Sequence, residues 1–217
     1  MITLPPFYPI LDTAALERRQ YPLLLAAEAL LEAGARLLQL RHKGSFTRKM
    51  FEQAEYAARL CRHFGASLIV NDRADIAMML DAGLHVGQDD IAPQHARRLL
   101  GERRVIGFST HNADQLRAAA GEPVDYVALG PIFATSSKPA PDPVVGLEGL
   151  RRWRPLAPQP LVAIGGIRIE NAGQVLEAGA DSVAVIGDLL PEELNKKTLR
   201  ERVERWLLLA RPPTPVS

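Results

Sequence analysis

The chain has 217 residues, of which 47% are hydrophobic and 24% charged, and its formal net charge at pH 7 is +1. This composition allows a sizeable core, and the near-neutral charge argues against a general attraction to nucleic acid or anionic lipid. The N-terminal segment lacks a basic region and contains Pro5, Pro6 and Pro9, and no apolar run approaches the roughly 20 residues that span a bilayer. Because Cys61 is the only cysteine, we expect a reduced, cytoplasmic protein without membrane partners.

Short β-rich runs alternate along the chain with longer segments of helical periodicity. Most of these runs are continuously apolar, which is typical of strands in a parallel sheet covered by helices. The predicted strands are 7–11, 36–41, 67–71, 83–87, 104–109, 125–130, 160–166 and 182–187. Asn112 with Gln115 suggests a capping box at the start of the fifth helix. Glycines are expected to end the helices before several strands, at Gly34, Gly65, Gly83, Gly101 and Gly179.

The alternation of strands and helices predicts an α/β fold, a single (β/α)₈ TIM barrel. The alternative is an open, doubly wound sheet, which usually carries a glycine-rich dinucleotide turn after its first strand. The segment "ILDTAAL" lacks such a turn and therefore favours the barrel. We expect residues 1–210 to form one domain and residues 211–217 to form a disordered tail.

Polar residues at the ends of the second and later strands would become neighbours, because the carboxyl ends of all barrel strands meet at one face. Gln39, Arg41 and Lys43 are two positions apart, so they point the same way while the chain remains extended. Two cations on one edge indicate an anion nearby. The alternative is a basic stripe on the outside of the protein.

The third and fourth strands add acidic residues to this edge. The third strand ends with Asn71 and is followed by Asp72, and Asp90 follows the fourth strand. Carboxylates brought together repel each other unless one is protonated or both share a cation. A Mg²⁺ ion held by Asp72, Asp90 and phosphate oxygens would satisfy this requirement. Taken alone, the stretch around Asp89 would instead be a solvated turn before the next helix.

Glycine turns follow the last two predicted strands. "AIGGI" contains Gly166 and "VIGD" contains Gly187, and such turns can present free backbone N–H groups at the starts of the following helices to a phosphate in this fold. An ordinary turn is the alternative, since turns use glycine pairs often.

A long loop, residues 131–146, follows the sixth strand. It contains Thr135, Ser137 and Lys138 and suggests a lid over an anion, or else a disordered excursion. With the other strand ends, it indicates two phosphorylated substrates on one rim, one of which loses its phosphate group.

Six motifs at the predicted strand ends occur in a fixed order between about residue 36 and residue 190: "QLRHK", "IVNDR", "HVGQDD", "GFSTHN", "LGPIFATSSK" and "VAIGGI". Together they closely resemble the thiamine-phosphate synthase family. The resemblance implies a Mg²⁺-dependent TIM-barrel transferase that joins hydroxymethylpyrimidine diphosphate to a thiazole phosphate and releases diphosphate. It implies small-molecule substrates rather than nucleic acid or membrane, and it leaves a homo-oligomer open.

The resemblance also implies a role for each matching residue. Asp72 and Asp90 would bind Mg²⁺, and Gln39 would lie beside the pyrimidine. The implied diphosphate ligands are Arg41, Lys43, Asn71, Ser109 and Lys138. The implied thiazole-phosphate ligands are Thr135, Ser137 and the backbone of Gly166 and of the Ile186–Gly187 turn. The implied mechanism is dissociative and needs no strong general base, so we expect a structural or supporting role for His111.

Two departures from the family pattern bear on the thiazole-phosphate end. The first strand is "FYPILD" where a Tyr-Leu-Ile-Thr-Asp-like run is usual, and Gly187-Asp188 stands where Ser-Ala is common. A missing hydroxyl, or an inward-facing Asp188, would weaken phosphate binding there. Two alternative functions are a thiazole tautomerase on the same barrel, which would use His111, and a non-catalytic regulatory or ligand-binding barrel.

Overall fold

The computed structural model describes residues 4–135 and 142–209. Within these ranges eight parallel strands close into a barrel in sequence order, and the eighth strand pairs with the first. The strands are β1 (Phe7–Asp12), β2 (Leu37–Arg41), β3 (Ser67–Asn71), β4 (Gly83–Val86), β5 (Ile106–Thr110), β6 (Tyr126–Leu129), β7 (Leu161–Ile164) and β8 (Ser182–Val185). This architecture confirms the predicted TIM barrel.

Helices surround the barrel in the described part of the chain. They are α1 (Thr13–Arg18), α2 (Leu23–Glu32), α3 (Arg48–His63), α4 (Ala74–Leu80), α5 (Pro93–Leu100), α6 (Ala113–Ala119), α7 (Gly146–Trp153), α8 (Ile169–Glu177) and α9 (Lys196–Leu209). Short 3₁₀ turns lie at Arg154–Leu156 and Gly187–Leu189. Because two helices follow β1, the helix predicted as the fifth is α6.

Side chains alternate along each strand and therefore build two separate cores. One core lies between the strands and the helices and includes Phe7, Leu38, Val70 and Trp206. The second core fills the inside of the barrel, with Tyr8, Ile10, Leu37, Ile69, Tyr126, Ala128, Val162 and Ala184 among its residues. The polar side chains of the rim continue the rows of this inner core toward the carboxyl ends of the strands.

Most of the predicted helix ends are confirmed by the backbone. Positive φ angles occur at Gly34 (110°), Gly65 (64°), Gly101 (72°) and Gly179 (107°). The prediction for Gly83 is wrong, because this residue begins β4 and the left-handed position after α4 is taken by Asp81, with a φ of 55°. An aspartate tolerates that conformation better than most side chains.

The capping box predicted at the start of α6 is half present. The side-chain oxygen of Asn112 accepts a hydrogen bond from the Gln115 N–H at 2.9 Å, as expected. The Gln115 side chain, however, accepts from the N–H of His111 at 2.7 Å rather than from that of Asn112. The predicted tail, residues 211–217, lies outside the described residues. Among the helices of residues 4–135 and 142–209, none has both the length and the apolar character required to cross a bilayer.

Candidate active site

A cavity of about 870 Å³ opens at the carboxyl ends of the strands. Its volume is within the range typical of small-molecule sites. It brings together eleven of the predicted site residues: Gln39, Arg41, Lys43, Asn71, Asp72, Asp90, Ser109, Thr135, Gly166, Ile186 and Gly187. The other two, Ser137 and Lys138, lie outside the described residues.

The three polar residues at the end of β2 face the cavity, so the alternative of an outward basic stripe is wrong. Gln39 is buried inside the barrel and donates a hydrogen bond to the Tyr8 hydroxyl. Arg41 forms an ion pair with Asp12, its register partner at the end of β1. Lys43 pairs with Asp72. The chain itself therefore supplies anions to both cations.

Asp72 and Asp90 converge, as the strand order predicts. The two side chains lie near enough for Asp90 to act on the Asp72 carboxyl, and Asp90 Oδ2 accepts the N–H of Gly87 at 2.7 Å. Burial raises the pKa of Asp72; Lys43 acts in the opposite direction, and the neighbouring Asp90 raises it further. Asp72 also has a φ of 63°, held by a hydrogen bond from its N–H to the His85 carbonyl at 2.8 Å. Such a conformation is uncommon outside glycine and is often found at functional sites.

Asn71 carries a buried hydrogen-bond donor that lacks a partner. The side chain is only 7% exposed, and its Nδ2 makes no hydrogen bond within the described residues. Leaving such a group unsatisfied costs about 1–3 kcal/mol. Since Asn71 lines the cavity beside Asp72, a ligand with an acceptor oxygen would remove this cost.

The described wall of the cavity is acidic on balance. Five carboxylates face three cations there, the carboxylates of Asp72, Asp89, Asp90, Asp142 and Asp188 and the side chains of Arg41, Lys43 and Arg168. A polyanionic ligand would be repelled from such a wall unless it arrived with a cation. Of these three cations, Arg168 alone makes no ion pair within residues 4–135 and 142–209.

At the end of β7 the backbone comes close to the loop after β6. Gly166 has a φ of 64°, and a Cβ atom there would lie 2.5 Å from the Ala134 carbonyl oxygen and 2.7 Å from the Phe133 Cβ. This position therefore requires glycine. The N–H groups of Gly166 and Gly187 donate no hydrogen bond within the described part of the chain, so both can bind a ligand.

The start of α8 is less available for a phosphate than the sequence indicates. The N–H of Ile169 donates to Asp188 Oδ2 at 3.3 Å, and the N–H of Arg168 donates to the Asn171 side chain at 2.8 Å. The Asp188 carboxylate is also bound by Arg202 of α9 at 3.3 Å, which partly compensates its charge. Burial raises the pKa of Asp188, whereas Arg202 and the Ile169 N–H act in the opposite direction.

Three residues of the site were missed by sequence reasoning. Tyr8, His85 and Tyr126 lie within the apolar runs of β1, β4 and β6, yet all three line the cavity floor. The sequence feature that could have revealed Tyr126 is Gly107 in β5. Any side chain at this inward position would overlap the ring of Tyr126, so the glycine leaves room for it. His111, by contrast, is held at the loop, where its Nδ1 donates to the Gly130 carbonyl at 2.7 Å and lies 3.5 Å from Asp142.

Comparison with known proteins identifies the family. The family model described as thiamine monophosphate synthase matches residues 7–189. This chain belongs to that family. A thiamine-phosphate synthase of Koribacter versatilis is 50% identical over 165 residues, 76% of this chain and 78% of that protein. Another from Persephonella marina is 38% identical over 200 residues, 91% of this chain and 92% of that protein.

A solved structure agrees with this assignment. A thiamine phosphate pyrophosphorylase from Pyrococcus furiosus superimposes with a TM-score of 0.82 at 32% identity, and the match covers 95% of both chains. Membership of the thiamine monophosphate synthase family confirms the transferase expected from the six motifs, a thiamine-phosphate synthase. The comparisons lend no support to the tautomerase or to the non-catalytic barrel. Enzymes of this family act on small molecules and generally depend on Mg²⁺.

Proposed function

We propose that this cavity joins hydroxymethylpyrimidine diphosphate to thiazole phosphate, giving thiamine phosphate and diphosphate in a Mg²⁺-dependent, dissociative substitution. The observation that carries the proposal is the convergence of the Asp72 and Asp90 carboxylates on one cavity wall, beside Lys43 and the unsatisfied Asn71 amide. A cytoplasmic location is part of the proposal and agrees with the single buried cysteine, Cys61.

The donor set fits Mg²⁺ provided that the substrate completes it. No group of three or more His, Cys, Asp or Glu side chains in the described ranges could hold a metal. Mg²⁺ commonly binds one or two carboxylates together with substrate phosphates and water, which is what Asp72 and Asp90 offer. When bound, the ion would neutralise charge on the phosphate oxygens in a cavity whose described wall is acidic on balance.

The leaving group would lie at the ends of β2, β3 and β5. Diphosphate oxygens can replace the carboxylates that now pair with Arg41 and Lys43, so that these cations stabilise the charge of the departing group. Asn71 Nδ2 and the Ser109 hydroxyl supply neutral donors on the same side. Lys138 joins this group as a proposal from the sequence alone.

The thiazole phosphate would bind at the ends of β7 and β8. The N–H groups of Gly166 and Gly187, at the Ile186–Gly187 turn, can donate to its oxygens, and the Arg168 guanidinium supplies a positive charge. The hydroxyls of Thr135 and Ser137 complete this end, the latter again as a proposal from the sequence.

The chemistry then depends on positioning and charge rather than on a strong base. The bond between the pyrimidine methylene carbon and the diphosphate oxygen breaks, and its electron pair leaves with diphosphate. The thiazole nitrogen donates its lone pair to the resulting cation and forms the new carbon–nitrogen bond. Gln39 orients the pyrimidine, and the closed barrel floor keeps water away from the cation.

The direct test is incubation with both substrates and Mg²⁺, while diphosphate and thiamine phosphate are measured. Formation of the two products in equal amounts, and only when both substrates are present, is the expected result. Diphosphate release without thiazole phosphate, or isomerisation of a thiazole substrate on its own, would contradict the proposal. Chelation of the metal provides the matched control.

A further inference from the structure

Five polar side chains form one continuous hydrogen-bond chain across the inside of the barrel. Gln39 Nε2 contacts the Tyr8 hydroxyl, which contacts the Tyr126 hydroxyl, and each distance is 2.9 Å. The Tyr126 hydroxyl contacts His85 Nδ1, and His85 Nε2 contacts the Ser109 hydroxyl, again at 2.9 Å each. The first four side chains are buried, with exposures of 8% or less.

The Gln39 amide turns its nitrogen to Tyr8, and this contact suggests a direction for the chain. An amide nitrogen can only donate, so the Tyr8 oxygen accepts there, and its own proton is available to Tyr126, the other partner of this hydroxyl. In this direction Tyr126 donates to His85 Nδ1, and a neutral imidazole would then carry its proton on Nε2.

The last step of the chain concerns Ser109. With the chain in this direction, His85 Nε2–H donates to its oxygen, and the serine proton then has no partner within residues 4–135 and 142–209. Because Ser109 lines the cavity, that proton can point to a ligand. If the chain ran in the opposite direction, Ser109 would donate to His85 and could offer no proton to a phosphate oxygen, which only accepts.

The surroundings keep the chain in place and protonated. The rings of His85 and Tyr126 stack at 5.5 Å between centroids, and those of Tyr8 and Tyr126 meet edge-on at 6.0 Å. Burial raises the pKa of both phenols well above the usual value, so each retains its single proton. Hydrogen bonds in such a buried series strengthen one another.

We propose that Tyr8, Tyr126 and His85 are positioning residues that direct the Ser109 proton to the leaving diphosphate. The proposal rests on the proposed function and deepens it. With its Nε2 engaged by Tyr8, Gln39 presents Oε1 to an amino group of the pyrimidine. Binding at Gln39 then polarises the chain toward Ser109, which links recognition of the ring to stabilisation of the leaving group.

The first test replaces Tyr126 by Phe, which keeps the ring and removes the central hydroxyl. We expect kcat to fall about tenfold while KM for the pyrimidine substrate changes less than about threefold. Tyr21→Phe is the matched control, because the Tyr21 hydroxyl is buried, lies outside the cavity and makes no hydrogen bond within the described chain. This variant should match the wild type.

A double-mutant cycle separates positioning from a general packing effect. In a Ser109→Ala background the chain no longer ends at a donor, so Tyr126→Phe should change kcat less than about twofold further. An equal loss in both backgrounds would overturn the proposal. Should Tyr126→Phe fail to fold, Tyr8→Phe breaks the chain one step earlier and is measured in the same cycle.

The second test needs no activity and uses the wild-type protein. Nitrogen-15 NMR of the imidazoles, with His85→Gln used to assign the signal, should show His85 with its proton on Nε2. A proton on Nδ1 would overturn the proposal even if the double-mutant cycle shows that Tyr126 and Ser109 interact. If the proton is on Nε2 but the enzyme forms no thiamine phosphate, the proposed function fails and the chain direction stands.

Discussion

The two ends of the cavity differ in the donors that they would offer to a phosphate. At β2–β4 the donors are charged side chains that already form ion pairs, Arg41 with Asp12 and Lys43 with Asp72. At β7–β8 the donors are two free backbone N–H groups with one cation, Arg168, that makes no ion pair in the described chain. The first end can exchange partners as a group departs, whereas the second can hold a phosphate that stays in place.

The largest effect is expected when one carboxylate is removed at the β2–β4 end. Asp72→Asn or Asp90→Asn should lower Mg²⁺-dependent coupling by more than about 100-fold, because the proposed site uses the carboxylates of both residues to hold the ion. Steady-state kinetics across a Mg²⁺ series measure the effect, and thermal unfolding should show an intact fold. Asp89→Asn, a neighbouring exposed carboxylate, should keep at least about half of the activity. Undiminished turnover in either main variant would refute the metal assignment.

The opposite end can be tested through its backbone. Gly166→Ala should lower the free energy of unfolding by more than about 1 kcal/mol, since an alanine is strained at a φ of 64° and overlaps the Ala134 carbonyl. It should also raise KM for thiazole phosphate about tenfold. Gly187→Ala is the matched control, because a Cβ there meets no atom within 4 Å. Equal losses in the two variants would show that the close approach at Gly166 is not what matters.

Two variants that each remove one positive charge test whether the two ends bind different ligands. Arg168→Gln should weaken thiazole-phosphate binding about three- to tenfold and leave inorganic diphosphate binding nearly unchanged. Lys138→Ala should weaken inorganic diphosphate binding and leave thiazole-phosphate binding nearly unchanged. Titration calorimetry with each ligand decides the matter, and similar losses for both ligands in either variant would argue against two separate sites.

The smallest effect is expected at His111. Its Nδ1 is engaged by the Gly130 carbonyl, so His111→Ala should disturb the loop and lower coupling less than about tenfold. The two alternative activities, coupling of the substrates and isomerisation of a thiazole, should be assayed in parallel. Near-complete loss of activity, with isomerisation in the wild type, would instead favour a tautomerase.

Much of this site could be predicted because TIM-barrel topology turns sequence order into proximity. The end of β3 brings Asp72 next to Asp90 whatever the details of packing, and alternation places Gln39 and Arg41 on one side of β2. Contacts across the barrel could not be predicted in this way. Tyr8 and Tyr126 are 118 positions apart and meet only after the sheet closes.

Local chemistry also set a limit on the prediction. The partner of Arg41 depends on the register of β1 and β2, which pairs Asp12 with Arg41 and is not visible in either strand alone. The start of α8 was expected to be open, but Asp188 from the neighbouring strand end occupies its first N–H. Both cases concern which polar group reaches a donor first, and that depends on side-chain geometry rather than on pattern.

The central claim is that the β2–β4 end of the cavity binds diphosphate through a Mg²⁺ ion shared with Asp72 and Asp90. Titration of inorganic diphosphate into the protein, with and without Mg²⁺, tests this claim most directly. The account predicts that Mg²⁺ strengthens diphosphate binding by more than about tenfold in the wild type and has no such effect in Asp90→Asn. Diphosphate binding of equal strength with and without Mg²⁺ would contradict it.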